Sequence, residues 1–231
     1  MEYLQYVQWI TVPIAFVLNI LLIHVLLKNA GRSYVLITIC AMVMLLSTVV
    51  ELAAILGPEL LWNRESRRYY WMAELLLESL LFATVILMCV RRIRQKNAHS
   101  PLIRWIIIGS LLFVVISAIV VYDPRPNRWL TLVSRNLGVG ALLVNLALWS
   151  SLLPDPNKDF TMLKVSGALG VNLAGQALGQ SLRHLWQVSR LFAYAGNLVL
   201  VITHILFLYL LWRAFSFERV DVAKTRPVIS V

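Results

Sequence analysis

Long apolar runs alternate with short polar breaks along the whole chain. Seven runs reach the roughly 20 helical residues that a ~30 Å hydrocarbon core requires. They predict spans over residues 7–27, 34–56, 70–90, 102–122, 129–153, 162–182 and 191–212, followed by a short tail over 213–231. None of the intervening segments is long enough to carry a soluble core of its own. The expected fold is therefore an all-α membrane protein, a single bundle of seven transmembrane helices over residues 1–231. The opening Met1-Glu2-Tyr3-Leu4-Gln5 lacks the basic residues of a secretory signal, and the first run exceeds a signal core, so that span is expected to be retained.

Composition supports this reading, with 60% hydrophobic and 14% charged residues and a mean hydropathy of +0.77. Such a balance is too apolar for an ordinary soluble domain. It excludes enzymes whose sites are built on a water-soluble fold. The division of Lys and Arg between the two sides then fixes the expected orientation, the net charge being +10. Of the 21 Lys and Arg, thirteen fall on one side of the spans: Lys28, Arg32, Arg91, Arg92, Arg94, Lys96, Arg104, Lys158, Lys164, Arg213, Arg219, Lys224 and Arg226. Seven fall on the other and Arg135 lies within a span. The positive-inside rule places the N-terminus outside and the C-terminus in the cytoplasm, in a plasma or bacterial inner membrane. The basic balance is thus explained by topology and by anionic lipids on the cytoplasmic face, with no nucleic-acid partner expected. Trp9, Tyr69, Tyr70, Trp71, Trp129 and Trp212 fall near span ends, as interfacial anchors do. Cys40 and Cys89 read as small packing residues.

Ionisable groups within a bilayer cost ~2.5 to 3.5 kcal/mol each on insertion scales, so their positions carry the functional signal. In the third span Tyr70, Glu74 and Glu78 recur every four residues on one helical face. At ~1.5 Å per residue Glu74 lies roughly 6 Å and Glu78 roughly 12 Å below the outer end. The sixth span interleaves Asn172, Gln176 and Gln180 with Gly175 and Gly179, giving one small, polar face suited to close helix approach. The fifth span places Arg135 at a similar depth, where it is expected to pair with Glu78 or Glu74. Asn197 belongs to a seam on the seventh span, and Glu51 lies toward the outer end of the second. Polar groups from five spans in the outer half predict an outward-facing, partly hydrated cavity. The fourth span, with only Ser110 and Ser117 as polar interruptions, is the expected peripheral helix.

Several functions are disfavoured by what the spans lack. No lysine lies in the middle of the seventh span to carry a retinal Schiff base, and His24 with His204 is a weak basis for a haem. No hydrolase motif and no metal-type cluster is present. No cofactor is expected and no enzymatic activity.

The Arg32-Ser33-Tyr34 start of the second span and the Arg68-Tyr69-Tyr70-Trp71-Met72-Ala73-Glu74 start of the third resemble those of uncharacterised small seven-span bacterial integral membrane proteins. That resemblance implies the seven-helix fold and no activity. The expected role is a non-enzymatic receptor-like, sensor or accessory subunit. It would bind a ligand or a membrane-protein partner through Glu51, Tyr70, Glu74, Glu78, Arg135, Asn172, Gln176, Gln180 and Asn197. The alternative is a small-solute transporter of the three-plus-one-plus-three type, with Glu78 as the proton-coupling carboxylate.

Overall fold

The computed structural model describes residues 2–29, 34–56, 64–96, 101–120, 122, 126–154, 159–185 and 189–216. Seven helices form: α1 (Glu2–Asn29), α2 (Val35–Leu56), α3 (Arg64–Lys96), α4 (Pro101–Val120), α5 (Pro126–Leu152), α6 (Phe160–His184) and α7 (Arg190–Ser216). Each coincides with a predicted span, and no strand occurs among the described residues. Local chemistry marks several starts. Pro101 and Pro126 open α4 and α5, where a missing N–H costs nothing. Asp159 caps α6, its carboxylate accepting from the Met162 amide at 2.9 Å.

Four helices contain segments long and apolar enough to cross a membrane: Trp9–Lys28, Met72–Arg94, Leu132–Leu152 and Arg190–Ser216. Shorter apolar stretches, Val35–Val50 and Arg104–Val120, lie in α2 and α4. The outer surface carries Ile10, Leu27, Leu46, Leu76, Leu112, Ile116, Ile119, Leu146, Leu178 and Leu191 in exposed positions. A surface this apolar is the mark of a membrane protein. Hydroxyls comply with the same solvent: Thr48, Ser79, Thr84, Ser181 and Thr203 each donate to a carbonyl one turn back on their own helix.

The helices run up and down. The start of α2 meets the ends of α3 and α7 through Tyr34, whose ring lies under Arg91 and edge-on to Phe215. The end of α6 meets the start of α7 at Gly179 and Gly196. Around the bundle the neighbours follow the order α1, α2, α3, α5, α6, α7 and back to α1, while α3 also touches α6. α4 stands outside this ring against α5, held where Val114 meets Gly140 and where the Trp129 indole donates to the Ala118 carbonyl at 3.0 Å. α5 is the most enclosed of the four apolar spans, 61% buried against 28% for α1 and α7. The expected peripheral position of α4 is the one observed.

One end of the bundle, where α1, α3, α5 and α7 finish, is the basic end, carrying Lys28, Arg91, Arg92, Arg94 and Arg213. The apolar core lies in that half, among Leu22, Leu26, Met44, Val85, Leu148, Leu169, Phe207, Leu211 and Phe215. Buried Arg92 donates to the Ser151 carbonyl at 3.3 Å, placing a cation at the C-terminal end of α5 where the helix dipole is negative. The opposite half, called distal below, holds the candidate polar site.

Candidate functional site

Glu78, on α3, is the chemical centre of the distal half. It is only 4% exposed although it carries a carboxyl group. Three helices meet around it at matching depth. α3 contributes Glu78 and, one turn toward the distal end, Glu74, whose carboxylate acts on Glu78 electrostatically. α6 contributes Gln176, whose side-chain amide acts on the Glu78 carboxyl. α5 contributes Gly138, where a Cβ would stand 3.5 Å from Glu78 Oε2. A Cβ at Gly138 would be in ordinary contact with the carboxyl, so α5 packs directly against it. Glu78 Oε2 is buried and has no hydrogen-bond partner. A vacant acceptor in a low-dielectric interior is costly, by ~1 to 3 kcal/mol or more for an ionised group.

The sequence expectation joined Arg135 to Glu78 or Glu74, and the structure does not join it to Glu78. The interactions of the Glu78 carboxyl are with Gln176 and Glu74, and Arg135 is not among them. Arg135 is half-buried on α5, about one turn before Gly138. Helical spacing explains the difference, since three residues turn Arg135 about 60° away from the Gly138 face that meets α3.

The remaining candidates divide. Asn172 is buried, whereas Gln180 on α6 and Asn197 on α7 are half-buried. The side chains of Glu51 and Tyr70 lie outside the described residues. The expected glycine seam is present and tight. A Cβ at Gly175 would collide with the Thr203 side chain. One at Gly179 would come within 2.5 Å of Leu200 Cγ and 3.0 Å of the Gly196 carbonyl oxygen. The polar face of α6 thus serves two neighbours: its glycines admit α7, and Gln176 reaches α3.

Two buried polar pairs lie outside the expected site. Asn145 on α5 donates from Nδ2 to the Ser166 carbonyl at 3.0 Å and accepts from the Ser166 hydroxyl at 2.9 Å. Gly170 leaves room for that amide, since a Cβ there would stand 2.9 Å from Nδ2. Asn19 on α1 donates to Thr48 on α2 at 3.3 Å, with its Oδ1 unpartnered. An isolated Asn or Ser in an apolar run does flag such a pair, but nothing in one sequence says which partner it meets. Cys40 and Cys89 are free and buried, Cys89 donating weakly to the Val144 carbonyl at 3.7 Å. Among the described residues no group of three or more His, Cys, Asp or Glu could hold a metal ion.

A cleft also opens at the basic end. About 180 Å³ in volume, it lies between the start of α2, the end of α3 and the start of α6, with Val35, Thr84, Leu87, Arg91 and Met162 on its walls.

The chain matches no family model, no curated protein and no solved structure.

Proposed function

We propose that all seven helices span the membrane, with the N-terminus outside and the basic end in the cytoplasm of a plasma or bacterial inner membrane. In this reading the chain is a non-enzymatic, receptor-like or accessory subunit that binds a small ligand or a partner group at Glu78. One observation carries it: a buried carboxyl with a vacant oxygen, flanked by a second carboxyl and an amide from different helices. A purely structural Glu at this depth would be expected to have its lone pairs filled from the bundle. The vacancy suits an incoming donor, either an ammonium group or an N–H or O–H. Glu74, one turn nearer the surface, supplies the second acceptor along the approach. Arg135, Asn172, Gln180 and Asn197 are proposed to line the surrounding distal half, together with Glu51 and Tyr70.

The test is thermal stabilisation of the purified protein by a panel of small organic ammonium compounds and primary amides. Stabilisation of the wild type that disappears in Glu78→Gln supports the site; equal stabilisation of both proteins overturns it.

The transporter alternative draws on the same pair of carboxyls. Two acids one helical turn apart in a low-dielectric site disfavour double ionisation, which is how a protein holds and releases a proton. Reconstituted vesicles with an imposed pH gradient decide between the two: uptake abolished by Glu78→Gln favours transport, and gradient-independent binding without uptake favours the receptor-like role.

A further inference from the structure

We infer that the cleft at the basic end is a binding site for one anionic phospholipid, with an acyl chain between α2 and α3 and the phosphate on Arg91. This rests on the membrane reading but not on the Glu78 site, so either can fail alone. The walls are largely apolar: Ile37, Leu87, Met88 and Met162 supply carbon and sulfur, Tyr34 presents its ring to Arg91, and the Thr84 hydroxyl donates to the Leu80 carbonyl at 2.7 Å. The cleft opens sideways, because Val35 and Leu87, which line it, are also 52% and 53% exposed on the lipid-facing flank. An occupant therefore enters from the bilayer.

Size restricts the occupant further. About 180 Å³ is below the roughly 300 to 1,000 Å³ typical of pockets for drug-sized ligands. It is also too narrow for a partner helix, which is ~10 Å across. A flexible hydrocarbon chain fits both limits.

Charge selects the headgroup. Arg91 is fixed at the cleft with its guanidinium carbon 5.5 Å from the centre of the Tyr34 ring. A cation held on a ring face keeps its in-plane N–H groups available, and these match two phosphate oxygens. Tyr34 is itself braced edge-on by Phe215 at 5.1 Å, so the cation rests on a fixed platform. Lys28, Arg94, Arg104, Lys164 and Arg213 are exposed at the same end of the bundle. The one carboxylate among the described residues there, Asp159, already accepts from the Met162 amide. A basic recess between helices at a membrane face is suited to an anionic lipid headgroup.

The experiment is native mass spectrometry of the full chain in detergent with equimolar phosphatidylglycerol and phosphatidylcholine of identical acyl chains. The expected wild-type result is one phosphatidylglycerol retained per chain in preference to phosphatidylcholine. Arg91→Gln is expected to lower that preference about fivefold, and Arg94→Gln, at an exposed position outside the cleft, to leave it unchanged. Leu87→Trp fills the cleft and is expected to expel both lipids. Equal retention of the two lipids by the wild type overturns the proposal. So does an Arg94→Gln loss matching that of Arg91→Gln, which would mean diffuse surface attraction. Displacement of the lipid by millimolar inorganic phosphate would assign the cation to a soluble anion and equally overturns it. Thermal unfolding of each variant, run in parallel, separates loss of lipid from loss of fold, and Arg91→Gln carries the test if Leu87→Trp does not fold.

Discussion

The two halves of the bundle solve the problem of an apolar solvent in different ways. The basic half fills its interior with large aliphatic and aromatic side chains, among them Leu22, Leu26, Leu148, Phe207, Leu211 and Phe215. Asn145 and Ser166 exchange two hydrogen bonds and leave neither group wanting. The distal half brings helices together over glycine, and at Glu78 it leaves a buried oxygen without a partner. The first arrangement is what stability alone selects. The second costs free energy that stability does not recover, which is why the proposed ligand site is drawn there.

The comparison breaks most severely at the α6–α7 seam. Gly179→Leu is expected to destabilise the protein by about 3 kcal/mol or more, because the new side chain meets the Gly196 backbone as well as a movable side chain. The measure is loss of the monodisperse peak and of the thermal transition in detergent. Gly109→Leu is the control. Nothing lies within 4 Å of a Cβ there, so the same chemical change on α4 is expected to cost under about 0.5 kcal/mol.

Next in size is the closed polar pair. Asn145→Ala and Ser166→Ala are expected to couple by about 1 kcal/mol in a double-mutant cycle of unfolding, in the range measured for interhelical hydrogen bonds in membranes. Glu78 is expected to behave in the opposite sense. Glu78→Gln keeps the shape and removes the charge, so the thermal transition stays or rises while ligand stabilisation is lost. A fall in stability comparable to that of Asn145→Ala would erase the distinction between the halves. Smallest of all is the cycle between Arg135→Ala and Glu78→Ala, expected to add within about 0.5 kcal/mol because no direct interaction joins the two.

Hydrophobic length was sufficient to find every helix, since each apolar run coincides with one, and the lack of interior polar groups was sufficient to place α4 at the edge. These are properties of single elements, and a single sequence records them. The convergence of Glu78 with Gln176 was partly legible, because both lie at similar depth on polar faces. Arg135 does not reach Glu78 because depth alone does not give azimuth: residues at one level can face different neighbours, and the neighbour order around the ring is not written in the spans. The basic-end cleft was invisible for a related reason. Arg91 read only as one charge among thirteen on that side, and its position over Tyr34 depends on how far α2 and α3 stand apart. No periodicity reports that spacing.

The glycine contact between α6 and α7 also has a mechanical meaning. Gly179 and Gly196 bring the two backbones into direct contact, with Leu200 and Arg183 packed closely around them. α6 cannot turn about its own axis without carrying α7, and α7 in turn lies along α1. A rotation of α6 that moved Gln176 would therefore have to be matched by α7, the helix whose far end sets Phe215 edge-on to Tyr34.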